Sequence, residues 1–122
     1  TEMNTMIPGS DRTPTISFSD GVFSITGRSY MENSAEFYAP IKKLLENHQG
    51  MLHVEIGLDF FNTSSSKCLM DLLFIVDKKY VAGNDCKIKW SYKIDDEDMR
   101  DAAEEFRDLL KHVPMEFEEI DD

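Results

Sequence analysis

A chain of 122 residues, 41% of them apolar, has the length of one domain. A chain of that size buries about two thirds of the surface it exposes unfolded, enough for one core. Its 24 acidic and 13 basic residues leave a formal charge of −11, which repels phosphate backbones and anionic headgroups and argues against nucleic acid or a membrane surface as partner.

The chain divides readily into elements. Residues 1–12 are polar, broken by Pro8, Gly9 and Ser10, and predict a loose N-terminal arm. Thr15–Phe18 and Val22–Thr26 alternate around the turn signal Ser19-Asp20-Gly21. They predict a β-hairpin that ends at Gly27. Phe37, Ile41, Leu44, Leu45 and His48 share the stripe of an amphipathic helix over 34–48, capped by Asn33 or Ser34 and closed at Gly50. Pro40 predicts a later start or a kink there.

Residues 51–61 alternate, with Val54, Ile56, Leu58 and Phe60 on one face, and predict a strand. Leu69, Leu72, Leu73, Val76 and Tyr80 carry a helix over 64–82; Met70, Phe74 and Ile75 widen its apolar face, which predicts the most buried helix. Cys86, Ile88, Trp90 and Tyr92 alternate with Lys87, Lys89, Ser91 and Lys93 in a half-buried strand. The acids Asp95 to Asp98 open a third helix, whose inner stripe is Met99, Ala102, Ala103, Phe106 and Leu110. Carboxylates suit a helix start. Pro114 stops it, and 115–120 form a last strand at a sheet edge. The expected fold is α/β: one domain, a mixed β-sheet in the order β-β-α-β-α-β-α-β, with helices packed over it.

Two cysteines, Cys68 and Cys86, are too few for a disulfide framework and predict reduced, buried thiols. There is no leader-like start and no apolar run near the roughly 18 residues of a membrane span, so the expected compartment is the cytoplasm. His48, His53 and His112 are scattered without metal-ligand spacing. The acids Asp95 to Asp98 lack the glycine and spacing of a calcium loop. No glycine-rich phosphate loop is present. No cofactor or metal is expected.

The chemistry concentrates where the strand over 51–61 gives way to the helix over 64–82, in Asn62-Thr63-Ser64-Ser65-Ser66-Lys67. A helix start presents unpaired backbone N–H groups and the positive end of the helix dipole. One reading is a cap, with Asn62 or Thr63 at the N-cap and the serines in the first turn. The other adds a phosphoacceptor at Thr63, whose phosphate those N–H groups would favour. Lys67 can steady that phosphate, meet an acidic partner or stay solvated. Tyr30, Glu32 and Asn33 either shape the loop before the first helix or lie close to Thr63.

Three blocks in this order, Arg28-Ser29-Tyr30-Met31-Glu32-Asn33-Ser34, Phe61 to Lys67, and Trp90-Ser91-Tyr92, resemble the signatures of the SiaC family of bacterial regulatory phosphoproteins. The resemblance covers nearly the whole chain. It implies a STAS-like fold, that of anti-sigma-factor antagonists. It implies that a dedicated kinase phosphorylates Thr63 and that a PP2C-type phosphatase removes the phosphate. The unphosphorylated form would then activate a diguanylate cyclase and promote biofilm growth. Asn62, Ser64, Ser65, Ser66, Lys67, Arg28, Tyr30, Glu32 and Asn33 become the residues expected to bind a partner or support the phosphosite. Met31 stands where relatives have proline, which predicts a looser loop. Two other functions compete: an anti-sigma-factor antagonist acting on a transcription regulator, and a small hydrolase with Thr63 or a serine as nucleophile. The hydrolase needs a base beside the hydroxyl, and the sequence offers no such pairing.

Overall fold

The computed structural model describes residues 5–121. Its elements are β1 (Thr5–Ile7), β2 (Thr15–Ser19), β3 (Val22–Ser29), α1 (Ser34–Asn47), β4 (Leu52–Phe61), α2 (Thr63–Val81), β5 (Cys86–Lys93), α3 (Glu97–Leu109) and β6 (Met115–Ile120). The six strands form one sheet in sequence order. β1, β2 and β3 pair antiparallel, and β3 to β6 pair parallel. The expected mixed sheet under helices is therefore present, with one strand more than the sequence announced and β6 at an edge.

Three crossovers between neighbouring parallel strands lay all three helices on one face, because such connections share a right hand. Burial follows from that. Leu52, Val54, Ile56 and Leu58 of β4 and Ile88, Trp90 and Tyr92 of β5 are buried under the helices. His53, Glu55, Lys87, Lys89 and Lys93 point to the uncovered face. That face is polar, crossed by Lys89–Glu118 at 3.3 Å and Lys93–Asp59 at 3.8 Å. Trp90 is the centre of the core, stacked on Phe106 at 5.0 Å and 27°, a contact worth roughly 0.5–1.5 kcal/mol beyond area burial.

The hairpin turn is the predicted one. Asp20 and Gly21 both take positive φ, 53° and 81°, in the two-residue connection whose twist matches the strands. Gly27 does not end β3. At φ 98° it sits in a bulge where Gly27 faces Leu58 and Arg28 faces Phe60, leaving Asp59 as the extra residue on β4. This bulge breaks the alternation read from the sequence. Phe60, expected inside with Leu58, is 41% exposed, and Phe61 takes the inner face against Trp90 and Phe106.

Other expectations are corrected. The loose arm over 1–12 contains β1, and residues 1–4 of it lie outside the described residues. The stretch after β1 is organised too: Gly9 N–H donates to Thr15 Oγ1 at 3.0 Å, and Tyr30 N–H donates to the Arg12 carbonyl at 2.7 Å. Helix α1 starts at Ser34 and runs through Pro40 without a break, since Tyr38, Ile41 and Leu45 anchor it on both sides of the proline. Asn33 stands at its N-cap without a capping bond; its amide donates to Glu36 Oε2 instead. In α2, Phe74 and Tyr80 are exposed, so the apolar face is wider than its buried stripe. Both thiols are free, and Cys86 is buried, but Cys68 is only partly so.

Candidate functional site

The C-terminal ends of β3 and β4 carry the two segments that the sequence singled out. Asn62 N–H donates to the Ser29 carbonyl at 3.0 Å, which sets the start of α2 against the end of β3. Asn62 is the N-cap: its Oδ1 accepts from Ser65 N–H at 2.9 Å. A cap of this kind is worth about 1 kcal/mol. It serves the third N–H of the helix and leaves those of Thr63 and Ser64 without an intrahelical partner.

The four hydroxyls of the cluster have different surroundings. Thr63 and Ser64 are exposed, Ser66 is half-buried and Ser65 is fully buried. The Thr63 hydroxyl makes no hydrogen bond among the described residues. Ser65 belongs to a chain of buried hydroxyls. Ser29 Oγ donates to Ser65 Oγ at 2.7 Å, so Ser29 has only its lone pairs left for Tyr38, whose hydroxyl donates to it at 2.6 Å. From Ser65 the chain continues to Ser34 Oγ at 3.1 Å and on to Ser64 Oγ at 2.7 Å. The Met31 carbonyl receives Asn62 Nδ2 at 2.9 Å, and the Ser34 and Ser64 hydroxyls both lie within 3.3 Å of it, one of them donating. The loop expected to loosen at Met31 is thus fastened to the start of α2. Burial pushes the Tyr38 hydroxyl up to about 12, against the opposing effect of its bond with Ser29; the phenol stays neutral and can donate. Ser29, Ser34 and Tyr38 were missed as a network. Their only signal was polar residues at inward positions of otherwise apolar elements.

The remaining predicted residues fall into two groups. Arg28 and Tyr30 form an exposed cluster with Arg12 and Phe60. The Arg12 and Arg28 guanidinium carbons lie 5.9 Å from the ring centres of Tyr30 and Phe60 respectively, and the two rings meet edge to face at 5.5 Å. Glu32 and Asn33 are exposed in the intervening loop, next to Met31, whose carbonyl bonds to Asn62 and Ser64. Lys67 is exposed one turn into α2 and forms no ion pair among the described residues.

Lys67 and Thr63 line a groove of about 520 Å³ between α2 and α3. Phe61, Met70 and Phe106 line its inner part; Phe74 and Leu109, 41% and 53% exposed, face it from opposite helices. A smaller hollow of about 170 Å³ between α1 and α2 is lined by Tyr38, Lys42, Cys68 and Asp71. Burial, then neighbouring Asp71, pushes the Cys68 thiol up. Among the described residues there is no group of His, Cys, Asp or Glu arranged to hold a metal ion, and no helix long and apolar enough to cross a membrane.

A mixed α/β sheet with three helices on one face, and a hydroxyl-lined helix start beside an open groove, places the chain in a definite structural class. The SiaC family of regulatory phosphoproteins matches residues 7–120, and the chain belongs to that family. An uncharacterized protein of Pseudomonas aeruginosa strain UCBPP-PA14 is 33% identical over 108 residues, covering 84% of this chain and 86% of that one. The structure of SiaC of P. aeruginosa superposes with TM-score 0.85 at 30% identity, over 97% of this chain and 99% of that one. The crystal structure of the P. aeruginosa diguanylate cyclase SiaD in complex with its activator SiaC matches with TM-score 0.86 at 31% identity, over 95% of this chain and 99% of the other.

Proposed function

We propose that this protein is a non-enzymatic, cytoplasmic regulator whose binding to an output protein, a diguanylate cyclase, is controlled by reversible phosphorylation of Thr63. A separate kinase adds the phosphate and a PP2C-type phosphatase removes it; the downstream effect is on biofilm formation. The observation that carries the reading is the Thr63 hydroxyl itself. It is exposed and unbonded at the first position of α2, beside N–H groups that lack a helical partner. Membership of a family described as regulatory phosphoproteins supports the modification. The SiaC–SiaD complex supports a cyclase as the output partner.

The mechanism follows from charge and place. A phosphoryl group adds about −1.5 to −2 charges and three acceptor oxygens. The Thr63 and Ser64 N–H groups and Lys67 can hold it, while the cap and the buried hydroxyls below keep the helix in place. Phosphorylation then changes the surface without changing the fold. A hydrolase needs a base within hydrogen-bond reach of its nucleophile, and Thr63 has none among the described residues. The test is direct. Intact-mass analysis of protein from its native host is expected to show one phosphate, mapped to Thr63 and absent from Thr63→Ala. A pull-down with Thr63→Ala is expected to return a diguanylate cyclase. A sigma-system protein in its place would move the output to transcription, and turnover of model esters abolished by Thr63→Ala would restore the enzyme reading.

A further inference from the structure

We infer that the exposed cluster of Arg12, Arg28, Tyr30 and Phe60 is a binding site for a guanine dinucleotide, of the kind that a diguanylate cyclase releases as product. The choice of that dinucleotide rests on the reading of the output protein as a cyclase. The cluster itself does not, and none of its four residues lines the α2–α3 groove.

The cluster is assembled from separate parts of the chain. Arg28 and Phe60 face each other across β3 and β4, and Tyr30 follows β3. Arg12 comes from the segment between β1 and β2, fastened where its carbonyl accepts from Tyr30 N–H at 2.7 Å. In open α/β sheets ligands gather outside the carboxyl ends of the strands, and β3 and β4 both end here. Regular alternation would carry Phe60 to the inner face with Leu58. The Asp59 bulge turns it outward, so that a large ring stays 41% exposed beside Tyr30 at 47%. Bulges recur next to functional sites because they re-aim a side chain.

The chemistry suits an anion with flat rings. Arg12 and Arg28 form no ion pair among the described residues, in a chain with 24 acidic side chains. Asp59, next to Phe60, is turned to Lys93 at 3.8 Å. Each guanidinium carbon lies 5.9 Å from a ring centre, at the outer limit of a cation–π contact, so it can leave its ring for an anion at little cost. The rings offer faces on which bases stack, which attracts any base. The arginines supply the selection. A guanidinium carries donors only, and its fork matches phosphate oxygens and also the O6 and N7 acceptors of guanine. Adenine shows a donor beside N7 and does not fit the fork. A pair of rings with a pair of forks thus meets the two bases and two phosphates of the dinucleotide. An acidic peptide would engage the arginines and leave the rings idle. A regulator that binds the product of its output protein senses how much has been made.

The test is isothermal titration calorimetry of the whole purified protein with cyclic diguanylate, its adenine counterpart, inorganic phosphate and a glutamate-rich peptide. Cyclic diguanylate is expected to bind roughly tenfold or more tightly than the adenine dinucleotide, and tighter still than phosphate or the peptide. Arg28→Gln and Phe60→Ala, with folding checked by circular dichroism, are each expected to weaken that binding roughly tenfold or more. Arg12→Gln, outside the sheet strands, gives a second reading that does not depend on β3 or β4 folding. Lys87→Ala, near the opposite end of the sheet, is the control and is expected to change nothing. No binding by the parent at about 1 mM dinucleotide, equal affinity for the adenine form, or affinity untouched by Arg28→Gln and Phe60→Ala would overturn the site. Tighter binding of the peptide would make the cluster a protein contact and overturn it too. If the dinucleotide binds through Arg28 and Phe60 while the Thr63→Ala pull-down returns no cyclase, the site stands and the cyclase reading falls. A cyclase in the pull-down with no dinucleotide bound keeps that reading and overturns the site.

Discussion

Helix α2 has two seams, and they are built differently. Towards α1 it is closed at both ends. The hydroxyl chain from Tyr38 through Ser29, Ser65 and Ser34 to Ser64 ties the start. Lys79 Nζ reaches the His48 carbonyl at 2.7 Å near the finish. On the α3 side, among the described residues, its side-chain hydrogen bonds lie at the far end, where Asp77 Oδ1 accepts from His112 and Val113 N–H, just past α3, at 3.0 and 2.8 Å. At the Thr63 end that second seam stands open as a groove. One helix is thus both a fixed part of the core and the wall of an open groove. A charge placed at its first residue acts on the open side because the other side holds it still.

The contrast predicts that substitutions in the closed seam change stability more than those in the open seam. The largest stability effect is expected for Leu45→Ala. Leu45 is 0% exposed on the α1 face, and deleting such a side chain costs about 2–5 kcal/mol in lost burial and cavity formation. Urea unfolding should show the midpoint fall with an unchanged slope. A loss within 0.5 kcal/mol would mean that the closed seam is not packed as described.

Ser65→Ala comes next. It takes the acceptor from Ser29 and a partner from Ser34, both buried. Leaving buried groups unsatisfied costs about 1–3 kcal/mol. Thr63→Ala, two residues away and exposed, should unfold close to the parent. Equal losses in the two variants would show that burial within the cluster does not separate structural from regulatory hydroxyls.

Tyr38→Phe has a smaller effect at neutral pH, about 1 kcal/mol for one hydrogen bond, and a distinctive pH dependence. Burial raises the folded-state value to about 12 from an ordinary 10.0. The unfolded chain therefore loses this proton first. The stability that the neutral phenol contributes is fully present below pH 10 and is lost as pH rises from 10 towards 12, with a slope of up to about 1.4 kcal/mol per pH unit. In Tyr38→Phe that part of the alkaline slope should be missing. Identical profiles from pH 8 to 12 would mean that the phenol is not held neutral in the fold.

The sequence disclosed the elements whose pattern was regular. The alternation along 86–93 and the stripe of α3 were legible because each follows a single period. The first errors came from one bulged residue. Asp59 exchanges the faces of Phe60 and Phe61, and nothing local marks it except Gly27, which lies on a different strand. The arm failed for a related reason: β1 has three residues, too few to show a period, and its strand form depends on the β2 edge. In the site, a cap at Asn62 or Thr63 followed from known chemistry, and the structure places it at Asn62. The split between Thr63 and Ser65 did not, because four adjacent small hydroxyls look alike in sequence. Their burial is decided by Ser29 and Ser34, 36 and 31 residues distant from Ser65.

The smallest stability effect carries the sharpest form of the contrast. Phe74→Ala removes an aromatic ring from the middle of the longest helix, a change that in a closed seam would cost several kcal/mol. Phe74 is 41% exposed, and its ring faces the groove. Alanine also has the higher helix propensity. The unfolding free energy should therefore stay within about 0.5 kcal/mol of the parent. A loss of 2 kcal/mol or more would place the ring in the core and mean that this seam is not open as described.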